Sequence, residues 1–249
     1  MRCKQPARLS LLVALAVTIS GAALLSPASG APLISDQKAN RAVKALVGPD
    51  LVRAEIVTFS AGEVGDYWVY RGVVRKLRGR LLTLTQRDGT AAQVRLSQAT
   101  QIRIDARKGT VKLLRRGMRA TFMRKGSAPA SWLYVNRRSA DLSGPRIRSL
   151  LSNDFMGAEV ISWTGGAILD SRAYTGVIAS TDGSSLTLQE NDGTPVDMQI
   201  DVSTQVWVNN RAASATDLTA GMRTTTIGNG DGLAGQIWAF GKKLSRGTK

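Results

Sequence analysis

The segment RKLRGRLLTLTQRDGT fills residues 75–90, and ASTDGSSLTLQENDGT fills residues 179–194. Both keep a glycine, then Leu-Thr-Leu, then Asp-Gly-Thr. Leu82 and Leu84 alternate with Thr83 and Thr85, which is the period of a half-buried strand. Asp88-Gly89 then predicts a tight hairpin, because an αL-tolerant residue followed by glycine suits a type I′ turn. The return strand turns Val94 and Leu96 inward and Gln93 and Arg95 outward. The frame is written twice, once with basic residues around it and once without.

Working outward, a shift of 104 residues places 54–136 on 158–240 with 24 identities in 83 ungapped positions. Ala54-Glu55 meets Ala158-Glu159, Asp66 meets Asp170, Thr100-Gln101 meets Thr204-Gln205, and Gly117-Met118-Arg119 meets Gly221-Met222-Arg223. A period near a hundred residues points to a duplicated domain, not a solenoid. Each copy reads as β-rich. Gly72–Leu77 is a strand ending at Gly79, Leu81–Arg87 is the next, and the return strand continues through Ile102 and Ile104. Residues 106–117 lack alternation and suit one short helical turn. Met118–Arg124 and Ser131–Asn136 complete the set. The predicted class is mainly β: two tandem OB-like five-stranded barrels, each with one short helix, with an SH3-like barrel as the rival. Residues 54–69 and 158–173 read as a strand or hairpin added to each barrel.

The flanks differ in composition. Arg2, Lys4 and Arg8 precede an apolar run, Leu9 to Leu25, and Ala28-Ser29-Gly30 forms a small-residue cleavage site. Residues 1–30 therefore read as a secretory signal peptide, with a membrane anchor as the alternative. Residues 31–53 hold a helix, because Ala39, Ala42, Val43, Leu46 and Val47 fall at helical spacing before Gly48-Pro49. Residues 54–138 are the basic barrel and 139–157 a linker with a second helix over Arg146–Phe155. Residues 158–240 are the acidic barrel and 241–249 a basic tail. No later stretch is long and apolar enough to span a membrane. The expected location is exported, either periplasmic or extracellular.

Composition removes several chemistries. The chain has one cysteine, Cys3, and no histidine. A mature chain beginning after residue 30 has no disulfides, no Cys/His metal sites and no Ser-His-Asp triad. No cofactor motif is present. "NDGT" and "GNGDG" lack the alternating carboxylates of an EF-hand loop. Glu55 with Glu159 and Asp66 with Asp170 leave a carboxylate site conceivable, but their recurrence in two chemically divergent copies favours a scaffold role.

Charge separates the copies most sharply. The chain holds 34 Lys/Arg and 18 Asp/Glu, a net charge of +16. Residues 70–138 hold 18 basic and two acidic residues; residues 174–240 hold two basic and seven acidic. Copy two thus acts as an internal control. Arg107 and Arg119 recur as Arg211 and Arg223 and read as scaffold residues that pair with carboxylates or cap carbonyls. Arg78, Arg80, Arg95, Arg103, Arg124 and Lys125 become Asp182, Ser184, Gln199, Trp207, Gly228 and Asn229, so the fold does not need them. On an OB barrel they fall on strands two and three and the loops beside them, where extended polymers bind. They are the candidate polyanion-binding residues, because a cationic groove gains from counterion release. The expected partner is an anionic envelope polymer or extracellular nucleic acid. The absence of aromatics on strands two and three argues against base stacking. The alternative is self-association through the oppositely charged barrels. Trp207 is expected to point outward.

Gly72-x-Val74, Leu82-Thr83-Leu84, Asp88-Gly89, Thr100-x-Ile102 and Leu114-x-x-Gly117 follow one another, and each recurs in copy two. This succession resembles the bacterial exported tandem repeats known as a domain of unknown function with an OB-like barrel. The resemblance implies the fold and an exported setting, and it supplies no catalytic residues. Met118 and Met222 stand where that family often has a polar residue.

Overall fold

The computed structural model describes residues 37–136, 144–151, 154–230 and 232–241, all within one compact unit. The predicted signal segment and nearly all of the basic tail lie outside the described residues. The N-terminal helix α1 is Gln37–Leu46, and it buries Ala39 and Val43 as the spacing predicts. In copy one the strands are β1 (Leu51–Ser60), β2 (Glu63–Arg78), β3 (Leu81–Thr85), β4 (Ala91–Arg95), β5 (Gln101–Ile104) and β6 (Arg107–Lys108). A 3-10 turn at Val111–Leu113 precedes β7 (Arg119–Lys125) and β8 (Trp132–Asn136). The second helix α2 is Gly144–Leu150, shorter than the sequence suggested, because buried Phe155 already belongs to a strand. Copy two contributes β9 (Phe155–Thr164), β10 (Ala167–Thr181), β11 (Ser185–Gln189), β12 (Pro195–Gln199), β13 (Gln205–Val208) and β14 (Arg211–Ala213). Another 3-10 turn at Ala215–Asp217 leads to β15 (Arg223–Asn229) and β16 (Leu233–Phe240).

The pairings define the barrel. The later half of β2 pairs with β3, its earlier half with β7, β3 with β4, and β7 with β8, all antiparallel. β5 lies parallel to β8. β4 and β5 act as one strand interrupted at 96–100, where the Thr100 hydroxyl donates to the Ala130 carbonyl at 2.7 Å. The Ala130 amide donates to the Arg95 carbonyl at 2.9 Å and closes the ring. The order 1-2-3-5-4-1, with its parallel closing contact and a short helix before the fourth strand, is that of an OB-type barrel. The inward residues form one core that includes Val74, Leu82, Leu84, Ile102, Phe122 and Leu133. Alternation along each strand puts them there, and each buried side chain of this size contributes about 1.5–3 kcal/mol.

The ladders recur 104 residues later. Val73↔Thr85 becomes Val177↔Gln189, and Gln101↔Trp132 becomes Gln205↔Gln236. Even the irregularity between Val74 and Lys76 returns between Ile178 and Ser180. The hairpin after Leu82-Thr83-Leu84 differs from the type I′ expectation. The Gln86 amide bonds the Thr90 carbonyl at 2.8 Å, and the Gly89 amide bonds the Gln86 carbonyl at 3.1 Å. The connection is therefore a type I turn in which Gly89 alone takes a positive φ, +82°. The Asp88 carboxylate accepts the Thr90 amide at 3.0 Å and fixes the turn from its own side chain.

The segments read as additions to each barrel are the joint between them. β1 pairs with β2 on one side and with β9 on the other, so both copies share a 16-stranded sheet. Glu55 lies directly across from Glu159, its own counterpart. One face of this central sheet is covered by α1 and α2, around Ile56, Val69, Trp132, Ile147, Phe155 and Trp238. Trp207 does not point outward. It stacks on Trp238 with ring centroids 5.0 Å apart and packs against this core. Its strand lies between β14 and β16, and the register with β16 sets it directly beside Trp238.

One substitution between the copies has a measurable consequence. The Gln86 side-chain amide donates through Nε2 to the Val52 carbonyl at 2.8 Å in a buried bond. Its counterpart is Glu190, half-buried, whose pKa burial and the Asp192 charge raise to about 7. The folded state holds a proton that the unfolded chain releases near 4.5. Stability therefore falls as pH rises from about 4.5 to about 7 and is level above that. Glu190→Gln is expected to raise the melting temperature at pH 8 by roughly 2–4 °C, about 1 kcal/mol after solvent screening. At pH 4 it should change little. Thermal unfolding at the two pH values checks this; an equal gain at both would refute the assignment.

Candidate polyanion-binding face

β3 and β4 carry small or neutral residues outward, and their rims are basic. The register sets Arg78, Leu81 and Arg95 in one cross-strand row, and Lys76, Thr83 and Gln93 in the next. Leu81 is 41% exposed, so Arg78 and Arg95 flank an open apolar spot. Arg80 lies in the turn between β2 and β3, and its carbonyl accepts the Leu96 amide at 2.7 Å. The bond from Ala130 to Arg95 brings the loop between β7 and β8 against the same corner. Arg78, Arg80 and Arg95 are exposed and make no ion pair among the described residues.

The other three predicted residues lie apart from this corner. Arg103 is exposed on β5, farther along the same outer side of the third strand, and donates to the Ala106 carbonyl at 3.1 Å. Lys108 lies across from it, so a second basic patch forms at that hairpin. Arg124 and Lys125 are neighbours on β7 and point to opposite faces. Arg124 lies over the Trp68 ring, 5.6 Å from its centroid, and hydrogen-bonds the Gly126 carbonyl. Lys125 is exposed opposite Tyr67. The structure thus brings together three of the six.

Trp68 lies in residues 54–69, the repeated segment that the sequence places outside the barrel itself. It stacks on Tyr70 at 6.2 Å, and Tyr70 packs on Phe122 at 5.0 Å. Its spacing of two from Tyr70 was the available signal, since residues i and i+2 of a strand share a face. The sequence of β3 and β4 contains no aromatic residue.

Copy two uses the same corner differently. Asp182 replaces Arg78 and accepts the Ser184 and Ser185 amides at 2.8 and 2.7 Å. These bonds hold its pKa at about 2. Asp192, Asp201 and Asp217 likewise accept bonds within their own turns. The acidic charge is thus built into loop geometry. Three ion pairs each lie within a copy: Arg53–Asp88 and Arg87–Asp50 in the first, Arg172–Asp170 in the second. Among the described residues none of these joins the copies, and no group of acidic residues is placed to hold a metal.

The scaffold reading of the recurrent arginines needs correction. Arg107, Arg119, Arg211 and Arg223 have no carboxylate or carbonyl partner among the described residues. They recur in sequence without an ion pair or cap that explains it. The recurrent carboxylates do sit at the joint. Asp66 accepts the Trp68 indole N–H at 3.0 Å, and Asp170 pairs with Arg172 at 3.7 Å.

The strand pairings define the class: a protein of two OB-type barrels fused through one sheet. No family model matches the chain, and no curated protein matches it. Among solved structures, a deletion mutant of the single-stranded DNA binding protein from Thermus aquaticus is 13% identical, covering 80% of this chain and 95% of that one. Its TM-score of 0.18 is too low to bear on function. No described helix is long and apolar enough to cross a membrane.

Proposed function

We propose that the chain is an exported, non-enzymatic binding protein whose basic first barrel holds an anionic polymer. The observation that supports this most is the corner formed by Arg78, Arg80 and Arg95. Three arginines border the strand-two and strand-three face, and none has a carboxylate partner among the described residues. The equivalent corner of copy two, built on the same register, has no arginine. Like charges held close destabilise a fold slightly, so a partner that neutralises them is the physical reason to keep them. Without aromatics on that face, contact is made by charge and not by base stacking. The pattern of residues 1–30 supports export, and the succession of glycines and Leu-Thr-Leu frames supports kinship with exported tandem repeats.

Titration with dextran sulfate and with polyphosphate across a salt series tests this reading. Binding should weaken steeply with salt for both polymers, because released counterions drive it. Affinity that is absent at 50 mM salt would sink it. A second reading is self-association, since the exposed carboxylates of copy two, Asp182 and Asp197 among them, lie on the face equivalent to the basic one. Salt-sensitive dimers or chains in sedimentation, without added polymer, would favour that reading instead.

A further inference from the structure

A cavity of about 710 Å³ opens on the outer face of the first barrel, away from the β3–β4 corner. Its floor is set by register. Val73, Arg119 and Asn136 form one cross-strand row on β2, β7 and β8, and Arg71 and Thr121 lie in the next row. Leu51 and the chain before it form one wall, and Gln86 and Arg87 at the base of the β3–β4 hairpin form another. The volume is that of a small-molecule site.

The lining is a set of donors. Arg71 is fixed by bonds to the Gly48 and Pro49 carbonyls, both 2.9 Å, and to the Thr121 hydroxyl at 3.4 Å. Arg87 is held by Asp50 at 3.1 Å. Arg119 is exposed and has no partner among the described residues. Asn136 is 8% exposed, yet its side chain makes no hydrogen bond among the described residues. Its amide group is not sealed from solvent, so it can offer N–H donors to a ligand oxygen. In copy two Thr175, Asn191 and Phe240 replace Arg71, Arg87 and Asn136, and of these cationic and amide donors only Arg119 is kept, as Arg223.

We infer that this cavity binds a small organic oxyanion, a carboxylate or a phosphate. Its oxygens lie at Arg119 and Asn136, and its carbon body lies against Leu51 and Val73. Guanidinium groups suit both anions because their planar N–H forks match the paired oxygens. The site is independent of the polymer face, since none of Arg78, Arg80 and Arg95 lines it.

Benzoate and phenyl phosphate serve as probes, with sodium chloride at matched ionic strength as reference. Binding is read from the arginine Nε–H and asparagine side-chain signals of the full ¹⁵N-labelled chain. The expected result is saturable shifts at Arg119 and Asn136 with at least one probe. The stronger probe tells carboxylate from phosphate. Arg119→Gln should weaken binding at least tenfold. Val73→Trp, which fills the cavity without changing charge, should abolish it, with the fold checked by the remaining spectrum. Arg80→Gln should leave it unchanged while reducing polymer affinity. Equal shifts with chloride, no shifts with either probe, or wild-type binding by both cavity variants would overturn the assignment.

Discussion

Replacing Arg78, Arg80 and Arg95 together by glutamine is expected to remove most polyanion affinity and to flatten its salt dependence. Each lost contact reduces the slope of log K against log salt by about 0.7–0.9, so the triple change should reduce it by roughly 2–3. The reason is geometric. Arg78 and Arg95 flank Leu81 in one cross-strand row, and the turn holding Arg80 is tied to Leu96. A linear polymer can therefore meet all three at once. A control with the same net charge loss uses Lys108, Lys112 and Arg116, which are exposed on the β6 hairpin and the segment around the 3-10 turn. Its slope should change by no more than about 1. Equal losses in the two triples would mean that overall charge, not this corner, drives binding. The converse change is Ser184→Arg with Gln199→Arg in copy two. Asp182 is left in place there because it caps its turn through the Ser184 and Ser185 amides. A second, weaker binding event is expected.

Gly72→Ala should have the largest effect on stability. A Cβ at Gly72 would lie 2.4 Å from the Thr85 carbonyl oxygen and 2.9 Å from its carbon. These are backbone atoms of the adjoining strand, so relief requires the β2–β3 ladder to open. A destabilisation of about 3 kcal/mol is expected, at the upper end of the overpacking range. For a chain of this size that is a fall in melting temperature of roughly 6–12 °C. Gly176 faces the Gln189 carbonyl at the same 2.4 Å, and Gly176→Ala should behave alike. Gly79 provides the contrast. It has a φ of +56° but nothing within 4 Å of a Cβ, so Gly79→Ala should cost only about 1–2 kcal/mol of backbone strain. Melting curves of the three variants decide the point; a Gly72→Ala curve that overlays the parent would show that the strands are not so close. The glycine also serves the site. It sits where β2 leaves β7 for β3, and the same β2–β3 ladder sets Arg78 opposite Leu81.

The sequence by itself determined the barrel strands, their order and the partition of charge. Alternation of Leu82 and Leu84 with threonines, the Asp88-Gly89 turn and the shared offset are local signals, and local signals set which residues face a core. Even the departures were local. Asp88 caps a type I turn where type I′ was expected, and one strand is interrupted at Thr100. The tertiary structure alone decided which outward residues meet. Arg124 and Lys125 were grouped with Arg95 because all are basic and near loops, yet adjacent strand residues must point apart. Trp207 left the surface because β13 lies beside β16 and Trp238. The joint at Glu55 and Glu159, and the cavity over Val73, Arg119 and Asn136, come from pairings between strands far apart in the chain. Such pairings are selected by the packing of the whole sheet beneath α1 and α2, and no window of residues contains that information.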